Sequence, residues 1–307
     1  MRGMIRQCAW VSCAVLIAIL GSGCVTPPYT ISLDQVLEQE KIGSKTHYGY
    51  RCTAGAHRGA SALYLENSTE ALKAAEDAKQ YAFIEFDVQY SRDRKIVVFH
   101  DKRLLRIFGS LRTIGDTEFA GLSEISEGEI AAYDDVMGLL KKKKLNIEIK
   151  SQGDPCLDEA LVDEIIADIR KRKRDKDVLI SSISADVITY VNQHYPDIPT
   201  GQIFWLTSST YLHFDGLTEK LYEDIQATQA DYLLLHVANL RNIDDLLRLK
   251  PKGKTIAFWD FGDAMFIVHR DLSDRVWGDS AIKTFYQTTR YNLISFLRRI
   301  VPGGRTR

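Results

Sequence analysis

Short apolar runs alternate with longer stretches of helical periodicity from about residue 50 onwards. Apolar runs of four to eight residues between turn residues are typical of buried strands, and apolar positions three and four apart are typical of amphipathic helices. The alternation predicts eight strands, at 52–56, 83–88, 145–149, 178–182, 201–206, 232–236, 255–259 and 275–278. Eight βα units predict one α/β domain, a TIM (β/α)8 barrel.

Amphipathic stretches fill the intervals between these strands, and Ser68 and Asp158 stand where helix N-caps are expected. A short run at 96–99 is expected to form a small hairpin with the end of the second strand. Residues 107–132 are too few for an inserted subdomain and predict a modest loop. The predicted helices are 33–39 before the barrel and then 68–79, 133–142, 157–174, 185–194, 217–227, 243–250, 262–271 and 281–299.

The amino terminus has the layout of a secretion signal. Arg2 and Arg6 precede 13 uncharged, mostly apolar residues from Cys8 to Leu20, fewer than the roughly 20 needed to span a bilayer. Gly21-Ser22-Gly23-Cys24 then resembles a bacterial lipoprotein cleavage box, although Leu20 stands one place earlier than that pattern prefers.

We therefore predict a removed signal at 1–24 with Cys24 lipidated, which tethers the chain to a membrane of a bacterial cell envelope, facing the periplasm or the exterior. A plain secreted chain or an uncleaved anchor is the alternative. Residues 25–50 are then a tether with the leading helix, 51–300 the barrel and 301–307 a basic tail.

Composition narrows the function classes. A net charge of −1 argues against a nucleic-acid partner bound through bulk electrostatics. The five cysteines form no disulfide framework, because Cys8 and Cys13 leave with the signal and Cys24 is the lipid candidate. Cys52 and Cys156, near the ends of different strands, are not expected to pair.

Carboxylates at the ends of two predicted strands indicate a metal site. Glu85 and Asp87 alternate within 83–88 and project from the same face, and Glu148 lies in the next predicted strand. Neighbouring carboxylates repel unless a cation lies between them, and oxygen ligands suit Ca²⁺ or Mg²⁺. No Cys-x-x-Cys or His-x-x-x-His pattern indicates zinc. The alternative is a set of salt bridges at the barrel end, with Glu148 paired to Lys150.

Basic side chains stand near the same strand ends. Two imidazoles can remove one proton and deliver another in metal-assisted phosphate chemistry, which makes His57 and His100 the acid–base candidates. Arg58 and Lys150 suit phosphate oxygens, and their alternative role is to neutralise the acidic cluster.

The ordered set of these motifs resembles the glycerophosphodiester phosphodiesterase family. The matching segments are His57-Arg58-Gly59, Glu66-Asn67-Ser68, Glu85-Phe86-Asp87-Val88, His100-Asp101 with Leu104 and Arg106, and Leu145-Asn146-Ile147-Glu148-Ile149-Lys150. The resemblance implies a TIM barrel, a catalytic pair of His57 and His100, and a supporting role for the segment with Glu66. It also implies metal-dependent hydrolysis of a small glycerophosphodiester to glycerol 3-phosphate and an alcohol.

The second half of the chain departs from the family pattern. Trp259 is followed by Asp260-Phe261-Gly262 instead of Thr-x-Asn, so the alcohol group is left open, with Trp259 and His236 as substrate-side candidates. A lysophospholipase D or a phospholipase C-like enzyme acting on lipid headgroups is one rival interpretation, and a non-catalytic lipoprotein scaffold is another. Water and the substrate's own 2-hydroxyl remain alternative nucleophiles, the order of the histidines stays open, and the oligomeric state is not predicted.

Overall fold

The computed structural model describes residues 30–41, 49–204, 214–260 and 262–269. Within these ranges the chain forms an 11-stranded sheet that closes on itself through an additional pairing of its second and third strands. The strands are Thr30–Ser32 (β1), Arg51–Ala56 (β2), Phe83–Tyr90 (β3), Ile96–Val98 (β4), Ala131–Ala132 (β5), Lys144–Ile149 (β6), Val178–Ser182 (β7), Thr200–Phe204 (β8), Tyr232–His236 (β9), Thr255–Trp259 (β10) and Ala264–His269 (β11).

Eight of these strands make the barrel, in the order β2-β3-β6-β7-β8-β9-β10-β11 and back to β2. Neighbours from β2 to β10 are parallel, and β11 runs antiparallel to both β10 and β2. Apolar side chains such as those of Phe83, Leu179 and Leu234 fill the interior. The predicted TIM-type α/β barrel is confirmed.

Helices cover the outside of this barrel. They are Leu33–Gln39 (α1), Thr69–Asp77 (α2), Leu105–Phe108 (α3), Phe119–Ile125 (α4), Tyr133–Leu139 (α5), Pro155–Lys171 (α6), Ala185–His194 (α7), Phe214–Ala227 (α8) and Ile243–Arg248 (α9), with a 3₁₀ helix at Val237–Asn242. The hydroxyl of Ser68 caps α2 as predicted, whereas Asp154 and not Asp158 caps α6. Asp158 instead accepts hydrogen bonds from the Ser151 hydroxyl and the Gln152 backbone N–H.

The leading helix and the small hairpin both form where the sequence predicts them. The apolar side of α1 is buried against the barrel, and Ser32 and Gln35 form a reciprocal capping box at its start. Strand β4 pairs antiparallel with the end of β3, so the chain turns back on itself just after the acidic strand. After this turn the Phe99 backbone N–H donates to the Asp87 carbonyl, which places His100 close to the acidic strand.

The eighth barrel strand differs from the prediction. Residues 262–271 were expected to form a helix, but Ala264–His269 is a strand. Met265 and Ile267 face the barrel interior while Phe266 and Val268 face the covering helices, so four consecutive apolar residues are buried. A helix could not bury all four on one side, because they would span most of a full turn.

The remaining terminal predictions fall on other parts of the chain. The predicted strand 275–278, the helix 281–299, the signal with Cys24 and the basic tail at 301–307 lie outside the described residues. Among the described helices, none is both long and apolar enough to cross a bilayer. Cys52 and Cys156 are both free thiols, as expected.

Alanine substitutions along β11 test the strand assignment. Met265→Ala and Ile267→Ala should each lower the free energy of unfolding by about 2–5 kcal/mol and Phe266→Ala by about 3–5 kcal/mol. Val268→Ala should lower it by about 1–2 kcal/mol, because two buried carbon groups are lost. Urea unfolding measures each value. Leu111→Ala, an exposed aliphatic control, should stay within about 0.5 kcal/mol. If one of the four β11 variants behaves like this control, the strand assignment is wrong.

Candidate active site

A cavity of about 280 Å³ opens at the carboxyl ends of the parallel strands, where barrels of this type carry their active sites. One wall is polar and the other apolar. The polar wall consists of His57, Arg58, Glu85, His100, Asn146, Glu148 and Lys150, and the apolar wall of Ile183, Ile203, Leu234, Trp259 and Met265. Six of the seven residues expected to form the metal site, transfer protons or bind phosphate therefore line one cavity, and Asp87 lies directly beneath it.

The three predicted metal ligands meet at this end of the barrel. Glu85 and Asp87 project from alternate positions of β3, and Asp87 is directly opposite Glu148 in the β3–β6 register. All three side chains are buried, and one carboxylate oxygen of each lies within 4.8 Å of the others. The register of two parallel strands thus creates a compact set of oxygen ligands.

Cationic groups lie close to the three carboxylates. Arg58 approaches Asp87, and Lys150 approaches both Asp87 and Glu148. Burial raises the pKa of Asp87, but the charges of His100, Lys150 and Arg58 outweigh burial and lower it. Burial, together with the charges of Asp87 and Glu148, raises the pKa of Glu85 well above its usual range. Glu85 Oε1 is buried without a hydrogen-bond partner among the described residues. A buried carboxylate oxygen without a partner, in a compact set of three carboxylates, is what a hard divalent cation would satisfy, so the residues fit such an ion.

Lys150 contacts two of the three carboxylates. Its Nζ donates to Glu148 Oε1 at 2.6 Å and lies 3.5 Å from Asp87 Oδ1. Burial lowers the pKa of Lys150, but the charges of Glu148 and Asp87 outweigh that effect and raise it above its usual value. The salt bridge that the sequence offered as an alternative therefore forms, and it coexists with the carboxylate cluster.

Asn67 fixes the orientation of Asp87. Its Nδ2 donates to Asp87 Oδ2 at 2.7 Å, and its Oδ1 accepts from the Asp87 backbone N–H at 3.2 Å. The backbone of Asn67 is left-handed (φ 62°), a conformation that asparagine tolerates better than most residues. The family resemblance implied a supporting role for the segment that contains Asn67, but the sequence did not reveal this contact, because it joins residues 20 positions apart.

Arg58 and Gly59 form a tight turn at the end of β2. Arg58 has φ 57°, and its backbone N–H donates to Glu85 Oε2 at 2.8 Å. Gly59 has φ 77°, and a Cβ there would lie 2.7 Å from the Ala71 backbone at the start of α2. The glycine after His57-Arg58 is therefore required both by conformation and by the close approach of α2.

The hairpin between β10 and β11 holds His57 in place. His57 Nδ1 lies 3.2 Å from the Gly262 carbonyl, and its backbone N–H donates to the Asp263 carbonyl at 3.0 Å. Burial, with a contribution from the nearby Arg58 charge, lowers the pKa of His57 to about 3. The imidazole is therefore neutral near pH 7, with Nε2 lying 3.9 Å from Glu85.

A chain of hydrogen bonds through Asp101, Arg106 and Glu66 connects His100 with Arg58. His100 Nδ1 lies 2.6 Å from Asp101 Oδ1, and Arg106 Nε donates to Asp101 Oδ2 at 2.7 Å. Arg106 also donates to both Glu66 oxygens, at 2.8 and 2.6 Å, and Arg58 Nη1 donates to Glu66 at 2.9 Å. Glu66 is thus held by two arginines and is not part of the carboxylate cluster. Arg106 links the segment after β4 to the loop after β2.

Trp259 lines the cavity between two histidines. Its ring centroid is 5.5 Å from that of His57 and 4.8 Å from that of His236, in an edge-to-face arrangement with the latter. His236 Nδ1 accepts the backbone N–H of Ala238. His236 therefore supports Trp259 from behind and is not among the residues that line the cavity.

The other histidines that the structure describes, His194 and His269, do not line the cavity. His269 was expected on the surface or in a loop, but it is buried in β11, where its Nε2 is 2.8 Å from Thr53 Oγ1. The error follows from the missed strand. His194 ends α7 and packs against Tyr190, while His47 and His213 lie outside the described residues.

The closed barrel, the carboxylate cluster and the two histidines are together the features of an enzyme that hydrolyses phosphodiesters. The sequence model of the glycerophosphoryl diester phosphodiesterase family matches residues 57–270. The chain belongs to this family, which confirms the resemblance of its motifs.

Individual relatives agree with this assignment. A glycerophosphodiester phosphodiesterase of Bacillus subtilis (strain 168) is 25% identical over 247 residues, covering 68% of this chain and 83% of that protein. The human lysophospholipase D GDPD3 is 27% identical over 183 residues, covering 53% of this chain and 56% of its own length. A crystal structure of a glycerophosphodiester phosphodiesterase from Thermotoga maritima superposes with a TM-score of 0.53 at 27% identity, covering 68% of this chain and 85% of that one.

The carboxylate cluster predicts stabilisation by a divalent cation. Mg²⁺ or Ca²⁺ at 100 times its dissociation constant should raise the free energy of unfolding by about 2.7 kcal/mol. Asp87→Asn should abolish this increment, measured as the difference between denaturant titrations with the cation and with EDTA. Asp135→Asn, at an exposed position without a role in the cluster, should keep it. An undiminished increment in Asp87→Asn would place the cation elsewhere.

The hydrogen bonds of His57 and His100 predict one tautomer for both rings. The Gly262 carbonyl and the Asp101 carboxylate are acceptors, so Nδ1 must donate in each case. When either ring is neutral, its Nε2 therefore carries no proton. Nitrogen-15 NMR of the imidazoles should show an unprotonated Nε2 for neutral His57, and an Nε2–H signal from this ring would contradict the hairpin contact.

Proposed function

We propose that this chain hydrolyses glycerophosphodiesters to glycerol 3-phosphate and an alcohol, with a divalent cation bound by Glu85, Asp87 and Glu148. The observation that carries the proposal is the shared cavity, in which two histidines and two cationic side chains surround the buried carboxylate cluster. The family to which the chain belongs supports the same reaction.

The cation would be Ca²⁺ or Mg²⁺, because the cluster offers carboxylate oxygens and no sulfur or imidazole ligand. Such an ion, when bound, supplies positive charge for a non-bridging phosphate oxygen as charge accumulates in the transition state. The three carboxylates hold it, and Asn67 keeps Asp87 in the required orientation.

Arg58 and Lys150 bind the phosphate from the protein side. Arg58 Nε is buried without a hydrogen-bond partner among the described residues, although Asp87 Oδ2 lies 3.6 Å away. A phosphate oxygen in the cavity would satisfy this donor, and the guanidinium fork suits phosphate geometry. Lys150, beside Glu148 at the cavity wall, adds a second positive charge.

The two histidines transfer the protons. Neutral His57, with Nδ1 donating to Gly262, presents an Nε2 that can accept the proton of the attacking oxygen. His100 Nδ1 donates to Asp101, which orients the ring, and a proton on His100 Nε2 can pass to the departing alkoxide. The base gains one proton and the alcohol receives one, whether the nucleophile is water or the 2-hydroxyl of the substrate's glycerol. In the latter case water then opens the cyclic phosphate.

Lysophospholipids are the second candidate substrate class, with the same bond cleaved and the headgroup alcohol released. The apolar cavity wall favours them, since Ile183, Ile203, Leu234 and Met265 offer no polar partner for a free glycerol but suit an acyl chain. The likeness to a human lysophospholipase D points the same way.

A scaffold without turnover has no physical need for two histidines oriented around a carboxylate cluster, so we do not favour it.

Product release from glycerophosphocholine tests the primary proposal. The chain should release glycerol 3-phosphate with added Ca²⁺ or Mg²⁺, and EDTA should abolish the release. His57→Ala and His100→Ala should each lower kcat by about 100- to 10,000-fold, because each removes one proton transfer.

His194→Ala, which alters a histidine remote from the cavity, is the matched control and should retain full activity. Full activity in either site variant would contradict the acid–base assignment. Turnover of lysophosphatidylcholine without turnover of glycerophosphocholine would favour the second substrate class.

A further inference from the structure

The most exposed large apolar side chains of the described residues all lie at one end of the barrel. They lie in segments that follow β2, β4 and β7, and we call them the apolar rim: Leu63 (78% exposed), Tyr64 (47%), Leu105 (50%), Leu111 (71%) and Ile183 (53%). Exposed aliphatic residues scattered over a surface need no explanation, but a set confined to the face around an active site marks an interaction surface.

Contacts already described connect the parts of the rim. Leu63 and Tyr64 lie in the loop between β2 and α2, close in sequence to Glu66. Arg106 of α3 donates two hydrogen bonds to Glu66. Leu105 is the neighbour of Arg106 in α3. The Leu111 carbonyl accepts a hydrogen bond from Arg103 at 3.3 Å. The two loops therefore form one connected surface, and Ile183 belongs to both the rim and the cavity wall.

Charge is distributed unevenly around the rim. Residues 59–65 contain no charged side chain, and residues 102–112 contain four cations and no acid. Arg106 is engaged by Glu66 and Asp101. Lys102, Arg103 and Arg112 remain exposed beside Leu105 and Leu111. Exposed apolar side chains next to cations match a phospholipid surface, where acyl chains lie beneath anionic phosphates.

We propose that this face docks on an anionic phospholipid surface, with the rim leucines and Tyr64 in the interface and Lys102, Arg103 and Arg112 against the lipid phosphates. The cavity then opens directly onto the lipid. A lysophospholipid headgroup reaches the carboxylate cluster while its acyl chain lies along Ile183. This substrate rests on the proposed function, whereas docking itself requires no turnover.

Hydrogen–deuterium exchange of the full chain on vesicles tests the docking. Vesicles of phosphatidylcholine alone are compared with vesicles of equal parts phosphatidylcholine and phosphatidylglycerol, so any contribution of residues 1–29 to membrane attachment is present in both. Peptides covering 60–66 and 102–112 should exchange at least about threefold more slowly on the anionic vesicles, and high salt should reverse the effect. Peptide 192–197, a mostly exposed segment at the end of α7 and before β8 without lysine or arginine, is the internal control.

Two variants separate the apolar and charged contributions. Leu105→Ser with Leu111→Ser should lose the protection, as should Lys102→Gln with Arg103→Gln and Arg112→Gln, since three lost cations weaken attraction to anionic lipid by about a hundredfold. Both variants should hydrolyse soluble glycerophosphocholine within about twofold of the parent, because none of these residues lines the cavity.

Equal exchange of the rim peptides on both kinds of vesicle would overturn the proposal. Protection in solution that grows with protein concentration would assign the rim to a second copy of the chain and would equally overturn it. Absence of glycerophosphocholine hydrolysis, with rim protection intact, would count against the proposed function and leave docking standing.

Discussion

The structure of the site depends on one constraint, the burial of three carboxylates where β3 and β6 end side by side. The parallel register of β3 and β6 places Asp87 directly opposite Glu148. Glu85, two residues before Asp87, projects from the same face of β3. Their mutual repulsion, strengthened by burial, is relieved by Lys150 and Arg58, and a divalent cation bound among the carboxylates would relieve it further. The left-handed backbone at Arg58 is explained by the same constraint, since it aims that residue's N–H at Glu85.

Around the cluster, the fold supports each histidine from a different direction. His57 depends on the β10–β11 hairpin, whose tight turn is held by Asp260 accepting the N–H groups of Gly262 and Ala264. His100 depends on Asp101 and, through it, on Arg106. The antiparallel β11 thus closes the barrel, and the turn that leads into it orients His57.

Much of this arrangement could be predicted from the sequence because its signals are local. Strands β7, β9 and β10 have the predicted bounds, since each is a short apolar run between clear turn residues. The alternation of Glu85 with Asp87 was enough to indicate a cation site. The order of the motifs then indicated His57 and His100 as the acid–base candidates.

What the sequence missed depends on contacts between distant residues or on ambiguous local patterns. Four consecutive apolar residues from Met265 to Val268 are compatible with a strand or with part of a helix, and only pairing with β2 decides between them. Glu66 and Arg106 are 40 positions apart. No local pattern reveals that these two side chains join the loops that carry Arg58 and His100.

The most direct measurement is anomalous diffraction from crystals of the chain soaked in Mn²⁺, which stands in for Mg²⁺ or Ca²⁺ at oxygen sites. We predict one strong peak at about 2.0–2.6 Å from carboxylate oxygens of Glu85, Asp87 and Glu148. A cluster without a peak, with Lys150 still bridging Glu148 and Asp87, would show that the salt bridges alone balance the buried charge. The account of a cation-dependent site would then be wrong.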